Sequence, residues 1–309
     1  MAESWIFDVT GGICVDLWSR EGGRVRHRRE ECPPSFYLSL PDPNLHWEML
    51  AELDDRYGAA ECTFETISGP VDGYRVPADR KVAEAIERQT RGQVSLYDVD
   101  VRAEQRYFAR RGLFPCAREG ESRFSPDIDA PLTVTEIRVP GVPYRAPAVT
   151  GTLVDGKTLS GSERTVLADL FSLVEATDPD VILCPHADAW MQVIEERAQG
   201  YGLEMPFSRS GRYRRLGSRS YWSYGRREFR EAAVIPEGRI LIDTEESFVY
   251  REGGLAGVFM AARLTGLSPN LTSRFTPGTL VSSYEIYEAV RRGIAVPFRK
   301  SDPERVRRC

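Results

Sequence analysis

Carboxylates gathered at the ends of strands hold divalent metals and activate water. Four acids have the right setting: Asp180 in the D-P-D that precedes a short apolar run, Asp188 at the start of the next helix, and Asp243 and Glu245 after "RILI". The stretch "DPDVILCPHADAWMQVIEERAQGYGL" (178–203) reads as a turn, a strand at 181–183, a polar elbow and a helix over 187–199. Many enzymes place a catalytic carboxylate where such a helix begins. Here that place offers Trp190 and Met191. Asp180 reads as a turn residue and Asp243 as a strand-end residue. His186 reads as a hydrogen-bonding loop residue, because the chain has only three histidines and no thiolate pair nearby. No catalytic residue, metal or cofactor is therefore expected. Gly11-Gly12 and Gly253-Gly254 lack the context of a phosphate loop. A substitute metal site built from Asp180, Asp188, Asp243 and Glu245 stands as the alternative.

A second constellation concerns phosphate rather than metal. "SRSGRYRRLGSRSYWSYGRREFR" (208–230) holds eight arginines against one acid, Glu228. Tyr213, Tyr221, Trp222, Tyr224 and Phe229 are interleaved with them. Arginine pairs with phosphate and aromatic rings stack on unpaired bases, so the mixture suits single-stranded or junction DNA. Arg209, Arg212, Tyr213, Arg214, Arg215, Arg219, Trp222, Arg226 and Arg227 are the candidate contacts. The competing reading is a solvated hairpin whose aromatics face the core. In "SYWSY" only alternate residues can share a side.

The elements that must position these groups follow from periodicity and punctuation. Residues 4–40 read as four short strands divided by Gly11-Gly12, Gly22-Gly23 and prolines. A helix follows over 45–56, then strands at 61–68 and 73–77, an amphipathic helix over 78–89, a strand at 94–100 and a helix over 102–112 closed by Gly112. Residues 117–131 read as a linker. Beyond it come strands at 132–139 and 147–154, a helix over 162–177, the 178–203 unit, β structure over 211–250, and helices near 254–265 and 279–292. The fold class is α+β, and 309 residues are enough for two domains.

Composition narrows the class. Hydrophobic residues make up 41% and charged residues 28%, as in a soluble globular chain. No apolar run approaches the roughly 18 residues that span a bilayer, so no membrane partner is expected. Cysteines 14, 32, 62, 116, 184 and 309 are scattered, which suits reduced thiols and a cytoplasmic location. The net charge of −5 argues against a uniformly basic nucleic-acid binder but leaves room for a local patch.

The order of segments resembles the N-terminal half of archaeal family B DNA polymerases. "YDVDVRAEQRYFARRGLFPC" (97–116), "DPDVIL" with "ERAQGYGLEM", "GRILIDTEESFVY" (238–250) and "ARLTGLSPNLTSRFTPGTLVSSYEIYEAVRRGIAVPFRK" (262–300) carry the resemblance, in the family's order. It implies an N-terminal domain over 1–130 on which 263–300 packs back, an RNase H-like 3′–5′ exonuclease domain over 131–262, and a segment 263–309 leading toward a palm. It also implies that Pro34, Phe36 and Tyr37 occupy the place of a pocket that senses deaminated template bases.

The departures from the family decide the expected function. The family's exonuclease binds two metals through carboxylates in three motifs. At motif I, D-I-E, this sequence has "TEIRVPG", with Arg138 and Pro140 in the acid positions; a shifted alignment leaves only Glu136. At motif II, N-x-x-x-F-D, it has His186 to Met191, so Trp190 keeps the aromatic and Met191 replaces the acid. The segment before "ARLTG" is too short for motif III. Arg138 is expected to put its own charge where metal charge would be. The degraded motifs are similar to those of an archaeal paralogue group with an inactivated exonuclease. The family's palm motifs, S-L-Y-P-S and D-T-D, do not occur in this sequence, which leaves a split subunit served by a separate palm, a truncated piece, or a free-standing remnant. The expectation is thus a non-catalytic DNA-binding portion that guides template in replication or repair synthesis. The alternatives are an exonuclease with relocated acids and a remnant that docks on a replication or repair complex.

Overall fold

Gly22 and Gly23, with φ of 55° and 79°, supply the positive dihedrals that a tight hairpin turn requires. They join β2 (Cys14–Glu21) to β3 (Arg24–Glu31), and with β1 (Ser4–Gly11) these form a sheet in the order β1-β2-β3. The computed structural model describes residues 4–118, 120–145, 147–223 and 226–298, and between 219 and 230 it describes the side chains of Ser220 and Phe229 alone. The chain divides into two compact units. One takes the chain up to Thr10, Leu17–Arg28 and Pro115–Leu280; the other takes Gly11–Asp16, Arg29–Phe114 and the chain from Val281.

The unit around 29–114 contains β4 (Phe36–Ser39), α1 (Trp47–Tyr57), β5 (Ala60–Thr66), β6 (Gly69–Val76), α2 (Arg80–Gln89), β7 (Ser95–Tyr97) and α3 (Ala103–Arg111). Its four strands pair antiparallel in the order β5-β6-β4-β7. Alternation in β4 sends Phe36 and Leu38 into a core with Met49, Leu53, Ile86 and Leu96. Gly112 closes α3 at φ 64°, as its position in the sequence implies.

The unit around 115–280 is built on a five-stranded mixed sheet. Its elements are β8 (Val134–Arg138), β9 (Leu153–Val154), β10 (Lys157–Thr158), α4 (Glu163–Thr177), β11 (Val181–Cys184) and α5 (Ala187–Gly200), then β12 (Tyr213–Leu216), β13 (Arg219–Ser223), β14 (Arg226–Arg230), β15 (Ala233–Pro236) and β16 (Ile240–Asp243). Helices α6 (Phe248–Thr265) and α7 (Pro269–Thr272) follow, and α8 (Pro277–Arg291) passes into the other unit. The sheet order is β10-β9-β8-β11-β16. Strands β8, β11 and β16 run parallel, with Val181 between Val134 and Ile240, while β9 and β10 add antiparallel. Central β11 is apolar without alternation because both of its faces are covered. Ile182 joins Leu170, Val174, Trp190 and Ile194 on one side; Val181 joins Ile240, Val258, Phe259, Trp5 and Phe7 on the other.

A long hairpin leaves this sheet between α5 and β16. Its root pairs β12 with β15, Tyr213 opposite Pro236, and its outer part pairs β13 with β14, Arg219 opposite Arg230 and Trp222 opposite Arg227.

Two expectations need correction. The strand expected over 147–154 survives only at Leu153–Val154, because Pro147 has no N–H to donate and Gly151 turns the chain at φ 65°. The helix expected from 254 begins at Phe248, where the Ser247 hydroxyl accepts the Tyr250 N–H at 3.2 Å. Gly254, at φ 59° and ψ −156°, interrupts that helix. The single turn of α7 is too short to show a helical period. No helix among the described residues is long and apolar enough to cross a membrane.

Candidate functional site

Register places Cys184, the last residue of β11, beside Asp243, the last residue of β16. Helix α5 starts three residues beyond β11, so its free N-terminal N–H groups face the end of β16. Asp243 fills that position. Its Oδ1 accepts the N–H groups of His186 (3.1 Å), Glu245 (3.1 Å) and Glu246 (3.0 Å), and its Oδ2 accepts that of Asp188 (3.2 Å). Burial raises the pKa of Asp243, and the backbone donors oppose that rise.

Asp188 lies in the first turn of α5 and is 9% exposed. Its carboxylate is held by Arg274, with Nε 2.9 and 3.0 Å from the two oxygens and Nη2 2.5 Å from Oδ1. The third guanidinium nitrogen donates to the carbonyls of Leu241 (3.1 Å) and Asn270 (2.7 Å). Both partners are largely buried, so the pair works at low local dielectric.

Helix α7 sets the position of Arg274. Asn270 accepts the Leu241 N–H at 2.8 Å and donates to the Arg239 carbonyl at 2.7 Å, which fastens α7 to β16. Asp8 on β1 accepts from the Ser268 hydroxyl (2.5 Å) and the Gly238 N–H (2.9 Å). Burial pushes the Asp8 carboxyl up to about 6.

The other acids do not join Asp188 and Asp243. Asp180 is fully buried at the opposite end of β11, where it accepts from Thr133 and lies between Arg20 (2.7 Å) and Arg209 (2.9 Å). Glu245 is exposed. Among the described residues, no group of three or more His, Cys, Asp or Glu side chains is placed to hold a metal ion.

Arg138 does not reach this place. It is exposed and pairs with Glu136 on its own strand at 2.5 Å, so the guanidinium that meets a carboxylate here belongs to Arg274. Pro140 is exposed beyond β8. Trp190 and Met191, 1% and 3% exposed, belong to the core between α4, α5 and the sheet. His186 takes a left-handed conformation at the start of α5, with Nδ1 3.6 Å from the Glu246 carboxylate. Arg274 escaped the sequence reading because "NLTSRF" carries no local sign of a carboxylate 86 residues earlier.

The hairpin arginines divide by depth. Arg209 is turned inward, its side chain only 8% exposed, bonded to Asp178 and to the carbonyls of Gly238, Asp178 and Pro179. That geometry makes it an internal clamp rather than an outward contact. Burial pushes the Asp178 carboxyl up, but hydrogen bonds from Arg209 and Arg239 outweigh it and hold the carboxyl below its ordinary range. Arg212 pairs with Glu237 at 2.7 Å, and Arg215 chelates Glu195 at 2.8 and 2.5 Å; both arginines are exposed. Tyr213 donates to the Met205 carbonyl, and burial raises its pKa. Arg214 is half-buried opposite Ile235. The side chains of Arg219, Trp222, Arg226 and Arg227 lie outside the described residues. In the other unit Phe36 belongs to the core, Pro34 is half-buried, and Tyr37 stacks on Phe64 at 4.7 Å.

No protein-family model matches the sequence, and no curated protein matches it either. Among solved structures the chain is similar to the family B DNA polymerase from the hyperthermophilic archaeon Pyrobaculum calidifontis, at 17% identity and a TM-score of 0.72. The match covers 96% of this chain and 52% of that one, so the chain spans about half the length of the polymerase whose fold it shares.

Proposed function

We propose that this chain is a DNA-binding counterpart of the N-terminal and exonuclease-like half of a family B DNA polymerase, with a non-catalytic exonuclease-like site, and that it guides template DNA in replication or repair synthesis. The observation that carries the loss of chemistry is the engagement of both acids at the end of the parallel strands. Asp188 is neutralised by Arg274, and Asp243 is occupied by four backbone N–H groups. Arg274 would then supply, as a fixed cation, the positive charge that two metals provide in an active two-metal nuclease. A central mixed sheet with helices on both faces supports an RNase H-like ancestry for residues 131–262. A metal-dependent exonuclease with relocated acids would need Asp180, Asp188 and Asp243 free to bind metal, and each is already held by donors of the protein itself.

The DNA side of the reading rests on the 208–230 hairpin. Its exposed pairs, Arg212–Glu237 and Arg215–Glu195, hold about 1 kcal/mol or less each, so a polyanion can compete for the guanidinium groups.

The test uses purified chain with 3′-labelled single-stranded and primer–template DNA. The expected result is binding that weakens steeply with salt and no shortening of the strand in magnesium or manganese. Shortening that disappears in Asp188→Ala or Asp243→Ala would replace the proposal with the relocated-acid exonuclease. Failure to bind DNA at low salt would leave the chain a docking remnant.

A further inference from the structure

We propose that the edge strand β3 is a second phosphate-binding surface, on which Arg24, Arg26 and Arg28 grip the backbone of single-stranded DNA. It rests on the reading of the chain as a DNA binder, but on different residues from the 208–230 hairpin.

The register of β3 fixes which residues face outward. Val25 packs against the cluster that contains Trp5, Phe7 and Trp18. His27 stacks on Trp18, ring centroids 4.3 Å apart and planes 20° from parallel. Alternate residues of a strand share a face, so Arg24, Arg26 and Arg28 stand together on the other one. All three are exposed. Strand β3 is the last strand of its sheet, so its outer edge is not covered by another strand of that sheet.

These arginines differ from those of the hairpin root. Arg212 and Arg215 are closed on acids at 2.5–2.8 Å. The carboxylate paired with Arg28 is that of Glu21, at a loose 3.7 Å. Among the described residues no ion pair or hydrogen bond engages the side chain of Arg24 or Arg26. Residues 22–29 contain no acid, in a chain whose net charge is −5. Three like charges spaced about 6.6 Å apart along a strand repel one another, and a row of phosphates at comparable spacing relieves that repulsion. Each guanidinium can donate two parallel hydrogen bonds to one phosphate.

Charged side chains also protect edge strands from pairing with other chains. That role needs charge of either sign, whereas phosphate binding needs positive charge, so reversing the charge separates the two. The experiment compares wild type, R24E/R26E/R28E, R24Q/R26Q/R28Q and the hairpin variant R212A/R214A/R215A. Each is titrated against fluorescent oligothymidylate across a salt series, with circular dichroism and sedimentation to establish fold and oligomeric state. Both β3 variants should bind more weakly, and their log–log salt slope should flatten by about two units, since each single-strand phosphate contact contributes roughly 0.7. The charge-reversal variant should remain folded and keep the oligomeric state of the wild type.

Wild-type affinity and slope in both β3 variants would overturn the proposal and leave the arginines as edge protection. Displacement of the oligothymidylate by polyglutamate of equal charge, at equal concentration, would overturn it in favour of an acidic-peptide surface. If the hairpin variant alone loses binding, the DNA-binding reading stands and the β3 proposal falls. If the β3 variants alone lose it, the β3 surface stands and the hairpin assignment falls. A wild type that does not bind overturns both.

Discussion

Arg274 and Asp188 form a buried pair in which neither member is tolerable alone. Arg274→Ala leaves a buried carboxylate without its counter-charge, a change that costs about 3–5 kcal/mol. Urea denaturation of Arg274→Ala should show a loss of that size, and the double variant Arg274→Met, Asp188→Leu should recover part of it, because an apolar pair needs no desolvation of charge. A double variant no more stable than Arg274→Ala alone would show that the pair does not act as a unit. Asp8 gives a second prediction, through proton linkage. Its folded pKa of about 6 lies above its ordinary 3.8, so the folded state holds a proton that the unfolded state releases. The stability this contributes is fully present below about pH 4 and is lost as pH rises through about 6, amounting to roughly 3 kcal/mol across that range. Asp8→Asn should flatten that part of the stability–pH curve. An unchanged curve would mean that Asp8 ionises at an ordinary pH.

At the scale of elements, α6 turns on one dihedral pair. Gly254, at φ 59° and ψ −156°, occupies backbone space that is essentially restricted to glycine. Gly254→Ala should destabilise the chain by about 1–3 kcal/mol. Its neighbour Gly253 lies in the helix, and nothing stands within 4 Å of a Cβ added there, so Gly253→Ala should stabilise by about 0.4–1 kcal/mol. Equal effects from the two substitutions would show that the break in α6 is not fixed at Gly254. Helix α5 is anchored differently, by Trp190, which is 1% exposed in the core. Trp190→Ala should cost about 3–5 kcal/mol in denaturant unfolding. In any fraction that remains folded, the salt slope of DNA binding should match wild type, since Trp190 faces the sheet rather than solvent.

At the scale of the molecule, the proposed DNA binding would rest on contacts that salt can titrate. R212A/R214A/R215A should weaken oligothymidylate binding and flatten the log–log slope by about two units if all three arginines touch phosphate. Trp222→Ala should lose about 1–3 kcal/mol of binding with the slope unchanged if its ring stacks on a base; unfolding instead would identify the ring as part of a core. The sequence by itself determined the order of strands and helices, because apolar period and glycine position act over a few residues. It also determined that the early part of α5 carries Trp190 and Met191, which are not acids, since residue identity needs no fold. The same local rules fell short at 147–154, where Pro147 and Gly151 overrode an apolar pattern, and at α7, a helix of one turn. Tertiary structure alone decided which cation meets which carboxylate. Arg274, not Arg138, reached Asp188, and Arg209 turned inward to Asp178 and Asp180 although its neighbours in sequence suggested a surface patch. Ion pairs between distant segments depend on how helices and strands pack, and a charge carries no local mark of the partner that packing will bring to it.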